Sequence, residues 1–201
     1  MATVYHQKES HQNLVLQFLR KFASIDAALA ENLEPYFEYR TFPRRSMIIQ
    51  KGEIENYISL VSKGLIRKFV VAGKKEITLQ LATEGHMIHS EISFLLQQPS
   101  EVFVESIEPS MLISISYPNV QKILEEMPEA EFIARSLLSY MFLKKDARYY
   151  NQLVKNTRQR FIEYMEQHPH MLQRVPQKIL ASYLNIKPET FSRLKHLMLK
   201  K

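Results

Sequence analysis

All four glycines of the chain, Gly52, Gly64, Gly73 and Gly85, fall between Tyr36 and Ser116, spaced 9 to 12 residues apart. Around them lie short runs rich in β-branched and aromatic side chains: Tyr39 to Phe42, Met47 to Ile49, Tyr57 to Val61, Leu65 to Val71, Ile77 to Leu81, Met87-Ile88, Val102 to Ile107 and Leu112 to Ile115. Short runs of this composition, separated by turn residues, predict about eight strands. Helical crossovers would need more residues between strands, so the spacing predicts a barrel or jelly roll.

Helical patterns flank this segment. Between Asn13 and Phe37, Leu14, Leu16, Phe18, Leu19, Phe22, Ile25, Leu29 and Leu33 recur at helical spacing. Pro118 opens a short helix that ends near Met127, and Pro128 stops it and opens the next. From Glu129 to about Val154 there is neither Gly nor Pro, and a helix of that length spans about 39 Å. Its apolar side chains cover more than one packing partner needs. One stripe is expected to cover the roll while Ile133, Leu137, Tyr140 and Met141 meet a second copy of the chain. A single-sided core helix is the alternative.

With 201 residues, 45% of them hydrophobic, the chain can build a real core, which argues against disorder. No stretch approaches the ~18 apolar residues of a membrane span. Lys8 and Glu9 near the start do not read as a secretory signal, so a cytoplasmic protein is expected. The absence of cysteine excludes disulfides, a thiolate nucleophile and Cys-ligated clusters or zinc. The net charge of +6 is unevenly placed. Residues 151–201 hold ten Lys/Arg against three acids, whereas the preceding 150 hold 17 against 18. A neutral body with a basic tail suits a polyanionic partner.

That tail carries a motif. A helix is expected from about Thr157 to Gln167, then a loop at His168-Pro169-His170. Pro176 opens another helix whose apolar face is Ile179, Leu180, Tyr183 and Leu184, and Asn185 can take the left-handed conformation that ends it. Pro188 starts a second helix with Phe191, Leu194 and Leu197/Met198 inward. This is the pattern of a helix-turn-helix, whose second helix would expose Glu189, Thr190, Ser192, Arg193 and His196. There Arg193 could donate two hydrogen bonds to a guanine and Glu189 could accept from a cytosine. Lys178, Lys187 and Lys195 would contact phosphates. An ordinary surface Glu–Arg pair is the bland alternative.

A glycine-punctuated roll, a long helix and a C-terminal helix-turn-helix together resemble the cyclic-AMP receptor protein / fumarate–nitrate regulator (CRP/FNR) family of bacterial transcription factors. Glu189-x-x-Ser192-Arg193 resembles the recognition motif of the fumarate–nitrate branch. Pro188 stands where the receptor-protein branch has an arginine. The resemblance implies an α+β chain: a cyclic-nucleotide-binding-like double-stranded β-helix over 1–128, a dimerisation helix over 129–155 and a DNA-binding helix-turn-helix over 156–201. It implies a homodimer on double-stranded DNA with TTGA-like half-sites, with RNA polymerase as a further partner.

In cyclic-AMP-binding members a glutamate holds the ribose hydroxyl, and an arginine ten residues beyond the start of its motif holds the phosphate. Here Ser90-Glu91-Ile92 keeps the glutamate, but the arginine position holds Ser100, or Glu101 if the loop shifts by one. A buried phosphate would then lack its cation, which argues against cyclic AMP. The expected effector pocket is Ser90, Glu91, Ser100 and Glu101, with the effector unidentified and no cofactor, metal or catalysis expected. His86 and His89 could be metal ligands, but three residues apart along a strand they would face opposite ways. The sequence stops three residues after Met198, before the family's β-hairpin wing would follow: either the wing is missing, with Lys200-Lys201 touching phosphates instead, or the sequence is a truncated piece. The alternative to a regulator is a ligand-binding or protein-interaction module of this fold whose helix-turn-helix is vestigial.

Overall fold

Eight strands form two four-stranded antiparallel sheets in the computed structural model, which describes residues 13–21 and 27–199. The first sheet runs in the order β1 (Glu38–Phe42), β8 (Ser110–Ser116), β3 (Tyr57–Lys63), β6 (Met87–Ile88). The second runs β2 (Met47–Ile49), β7 (Phe103–Ser106), β4 (Ile66–Ala72), β5 (Lys75–Ala82), which leaves β5 at an edge. Phe22, Ile25, Lys200 and Lys201 lie outside the described residues, as do the side chains of Leu197 and Met198.

Side-chain alternation gives the first sheet two apolar faces. Val61 and Leu112 turn inward and close a core with Ile49, Ile66, Ile88 and Val104. Their neighbours Leu60 and Ile113 turn outward, where helical residues 13–19 (α1) and α2 (Ala27–Leu33) cover them with Val15, Phe18, Leu19 and Leu33. This outer core keeps a cavity of about 90 Å³ lined almost wholly by apolar groups, Ile58, Leu60, Met87 and Ile115 among them. The tight turn between β3 and β4 needs Gly64: its φ is +98°, and a Cβ there would stand 2.3 Å from Ser110 Oγ and 2.7 Å from Pro109 O.

Between β6 and β7 the chain forms a six-residue helix, α3 (Glu91–Leu96), which no periodicity in the sequence announced. α4 (Tyr117–Glu126) and α5 (Pro128–Val154) follow β8, separated by Met127. Ala130, Ile133 and Leu137 of α5 join the outer core. Two of the four side chains expected to meet a second copy, Ile133 and Leu137, therefore pack against the chain's own roll, and Tyr140 and Met141 are half-buried. The large apolar groups that α5 leaves most open are others: Phe142, Leu143, Tyr149, Tyr150, Leu153 and Val154, all at least 60% exposed, with Phe132 and Leu138 exposed to a lesser degree. No helix among the described residues is long and apolar enough to cross a membrane.

α6 (Thr157–Gln167) begins with a capping box in which Asn156 and Gln159 exchange side-chain and backbone bonds. A single turn, α7 (Met171–Arg174), follows the His168–His170 loop. α8 (Gln177–Tyr183) and α9 (Pro188–Leu199) are joined by residues 184–187, and Asn185 takes the left-handed conformation with φ 54°. These helices share a third core of Phe161, Met165, Leu180 and Phe191, in which the Phe161 and Phe191 rings meet edge to face at 5.1 Å. Leu65 and Ile107 of the roll belong to the same core, so the C-terminal helices are packed onto the second sheet.

Candidate functional site

Glu91 opens α3, and its carboxylate accepts two hydrogen bonds from Lys68 Nζ at 2.6 and 2.7 Å. Lys68 lies on β4, is 4% exposed, and also donates to His89 O at 3.1 Å. Lys145 of α5 approaches the same carboxylate at 3.4 Å. Burial would raise the Glu91 carboxyl, but Lys68, His89 and Lys145 hold it down at about 2. The ionised carboxylate is thus already engaged from within the chain. Removing one partner of a buried pair leaves an uncompensated charge, at a cost of about 3–5 kcal/mol.

Ser90 and Ser100 are both buried, and their hydroxyl oxygens lie 2.9 Å apart. Ser100 Oγ also lies 2.9 Å from Val102 O and accepts from the Val102 N–H at 3.1 Å. Glu101 does not enter this cluster. Its side chain is 79% exposed and pairs with Lys51 at 2.7 Å, because the chain turns outward directly after Ser100. Of the four residues expected in the pocket, the fold brings Ser90, Glu91 and Ser100 together and sends Glu101 to the surface.

Two neighbours of this cluster were not expected beside it. Glu55 is 4% exposed and accepts from the Ser90 and Tyr57 N–H groups, while burial pushes its carboxyl up. His89 is buried against the edge of Phe94 with no partner for Nδ1, and burial lowers its imidazole to about 4. The one available signal was Arg67-Lys68, two adjacent cations inside an otherwise apolar run. Both are buried, Arg67 between Thr78, Glu76 and Glu105. His86 is exposed and His89 buried, so the two are not brought to one site.

In the C-terminal helices, Phe191 and Leu194 turn α9 toward the core. The same helix leaves Glu189, Arg193 and His196 exposed and Thr190, Ser192 and Lys195 half-exposed. Lys187 immediately before it and Lys178 in α8 are exposed as well. All eight side chains expected to meet DNA therefore keep access to solvent while the opposite face of α9 is packed.

Residues 39–127 match the cyclic nucleotide-binding domain family. No curated protein matches the chain. Among solved structures, the chain is similar to the c-di-GMP responsive global regulator CLP of Xanthomonas campestris, with a TM-score of 0.65 and 18% identity over 87% of this chain and 93% of that one. It is similar to FixK2 of Bradyrhizobium japonicum, with a TM-score of 0.67 and 15% identity over 82% and 85% of the two chains. The catabolite activator protein of Thermus thermophilus gives 0.57 and 20% over 89% and 86%. The roll is thus similar to cyclic nucleotide-binding domains. The structural neighbours of the whole chain are CRP/FNR-family regulators, whose fold it shares.

Proposed function

We propose that the chain is a sequence-specific DNA-binding transcription regulator of the CRP/FNR type, acting as a homodimer and by binding rather than catalysis. In this reading 1–128 is the effector-like unit, 129–155 the dimerisation helix, and 156–201 the DNA-binding unit with α8 and α9 as its helix-turn-helix. The observation that carries the reading is the two-sidedness of α9: Phe191 and Leu194 anchor one face, while Glu189, Arg193 and His196 stand open on the other. An arginine and a carboxylate four residues apart on an open helix face can reach neighbouring base edges in the major groove. Lys178, Lys187 and Lys195 supply phosphate contacts at its border.

The second copy would seat on the open apolar stripe of α5 around Phe142, Tyr149 and Leu153, with Tyr140 and Met141 at its margin. Pairing there would have to set two α9 helices about 34 Å apart to enter successive major grooves of a TTGA-like palindrome. Cyclic AMP does not fit this reading as the effector. Lys68 occupies the Glu91 carboxylate, and the arginine position is a buried serine bonded within its own loop.

The test is selection from a randomised duplex pool at ~150 mM salt without added nucleotide. Enrichment of a palindrome is expected, with no further gain from cyclic AMP. On that palindrome Arg193→Ala should cost about 1–3 kcal/mol and relax one base position. Lys187→Ala should weaken all sequences alike and lower the salt slope by about one. No enrichment, or an Arg193→Ala variant with unchanged preference, would remove α9 as the reading helix.

A further inference from the structure

The C-terminal helices are tied to the roll by more than their shared core. Arg174, at the end of α7, spreads its guanidinium over three acceptors on the roll. It bonds both Glu84 oxygens at 2.8 and 2.9 Å, Glu108 at 2.7 and 3.1 Å, and Gly64 O at 3.0 Å. Glu84 in turn accepts from the Gly64 N–H at 2.9 Å. The fork therefore closes on the one turn where a side chain at position 64 would clash. A planar guanidinium that satisfies two carboxylates and a carbonyl at once fixes direction as well as distance.

A second set of bonds stands at the free edge of β5. Ser182 of α8 accepts from the Thr78 N–H at 2.9 Å, and its hydroxyl donates to Glu76 O at 3.0 Å, as a neighbouring strand would. Arg148 of α5 donates to Leu79 O and, at 2.8 Å, to Tyr183 O, and its guanidinium stacks 3.9 Å from the Tyr183 ring. α8 is thus held in register along an edge strand.

We infer that Arg174 is a positioning residue: it clamps the C-terminal helices to the roll in the single orientation that seats Ser182 on the β5 edge, so that the roll as well as α5 sets the direction of α9. The inference rests on the DNA-reading function proposed above. It assigns the reading geometry to a fork that touches no DNA. Because the fork is directional and the shared core is not, loss of Arg174 leaves the core but frees the angle at which α8 and α9 sit.

Hydrogen exchange at the Thr78 amide reports the seating of Ser182 without reference to DNA. In the 201-residue chain, Arg174→Ala should raise Thr78 exchange about tenfold or more, the loss of charged hydrogen bonds, while Leu60 in the first sheet keeps its protection. Arg174→Lys, which cannot fork, should recover only part. Affinity for the selected palindrome should fall by a similar factor while binding to scrambled duplex is unchanged. Ser182→Ala is the milder second variant and should move the same two readouts in the same direction. Unchanged Thr78 exchange in Arg174→Ala would overturn the clamp, whatever Ser182→Ala does by removing the acceptor itself, and faster exchange with an unchanged palindrome preference would overturn the positioning role. If the wild-type chain shows no sequence preference while Thr78 still responds, the DNA reading fails and the clamp stands.

Discussion

Helices meet the roll in two places, and the two joints are built differently. On the outer face of the first sheet, α1, α2 and α5 lie on Leu60 and Ile113 through apolar contact, and a cavity of about 90 Å³ remains between them. At the second sheet, α6 to α9 share a core with Leu65 and Ile107, but Arg174, Ser182 and Arg148 add directed hydrogen bonds around it. Apolar burial stabilises in proportion to area and tolerates sliding. A forked charged bond and a strand-edge register do not. The first joint secures a cover, and the second secures an orientation.

The largest effect should come from the core beneath the polar joint. Phe161 is 1% exposed and packs edge to face on Phe191. Phe161→Ala should cost about 3–5 kcal/mol and lower the melting temperature by about 10 °C, read by calorimetry. A fall of only a degree or two would mean that the hydrogen bonds, not the core, carry this joint.

Acid should loosen the polar joint. Burial would raise the Glu84 carboxyl, but the Arg174 fork holds it at about 2, well below its ordinary 4.5. A depressed carboxyl stabilises fully above the unfolded value, and that contribution is lost as the pH falls from about 4.5 through about 2. His89 adds to acid loss by a different route. Buried and lowered to about 4 from 6.5, it is neutral in the fold, so stability drains as the pH falls from about 6.5 to 4. Thermal unfolding across this range should therefore decline in two stages, and because Glu91 is held down over the same lower range, Glu84→Gln should shrink the lower stage without removing it and leave the upper one unchanged.

The smallest effect belongs to the apolar joint. Val15 lines its cavity, and Val15→Leu should raise stability by about 0.5–1 kcal/mol by filling space, measured by urea unfolding. A loss instead would show the cavity walls to be rigid. Either sign should leave Thr78 exchange untouched, since this joint sets no orientation for α9.

Much of this architecture was legible locally. The eight runs between Tyr36 and Ser116 became eight strands, and Asn185 and Pro188 marked the end of α8 and the start of α9. Each rests on interactions within a few residues: β-branched propensity, a left-handed cap, a proline at a first turn. Glu91 was expected in a pocket from its motif, but Lys68, which engages its carboxylate, lies 23 positions away on β4. The six-residue α3 is too short to show a period, and the outward turn of Glu101 toward Lys51 follows from its loop's path.

What the sequence determined by itself was the order and kind of the elements, the basic C-terminal unit and the open polar face of α9, because periodicity and charge are properties of neighbours along the chain. Only the tertiary structure decided which face of α5 lies on the roll, that Lys68 closes on Glu91, and that Arg174 grips Glu84 and Glu108 from 90 and 66 residues away. Those contacts join distant segments whose packing angles no local pattern encodes, and a buried or forked charge finds its partner only after the surrounding apolar surfaces have docked.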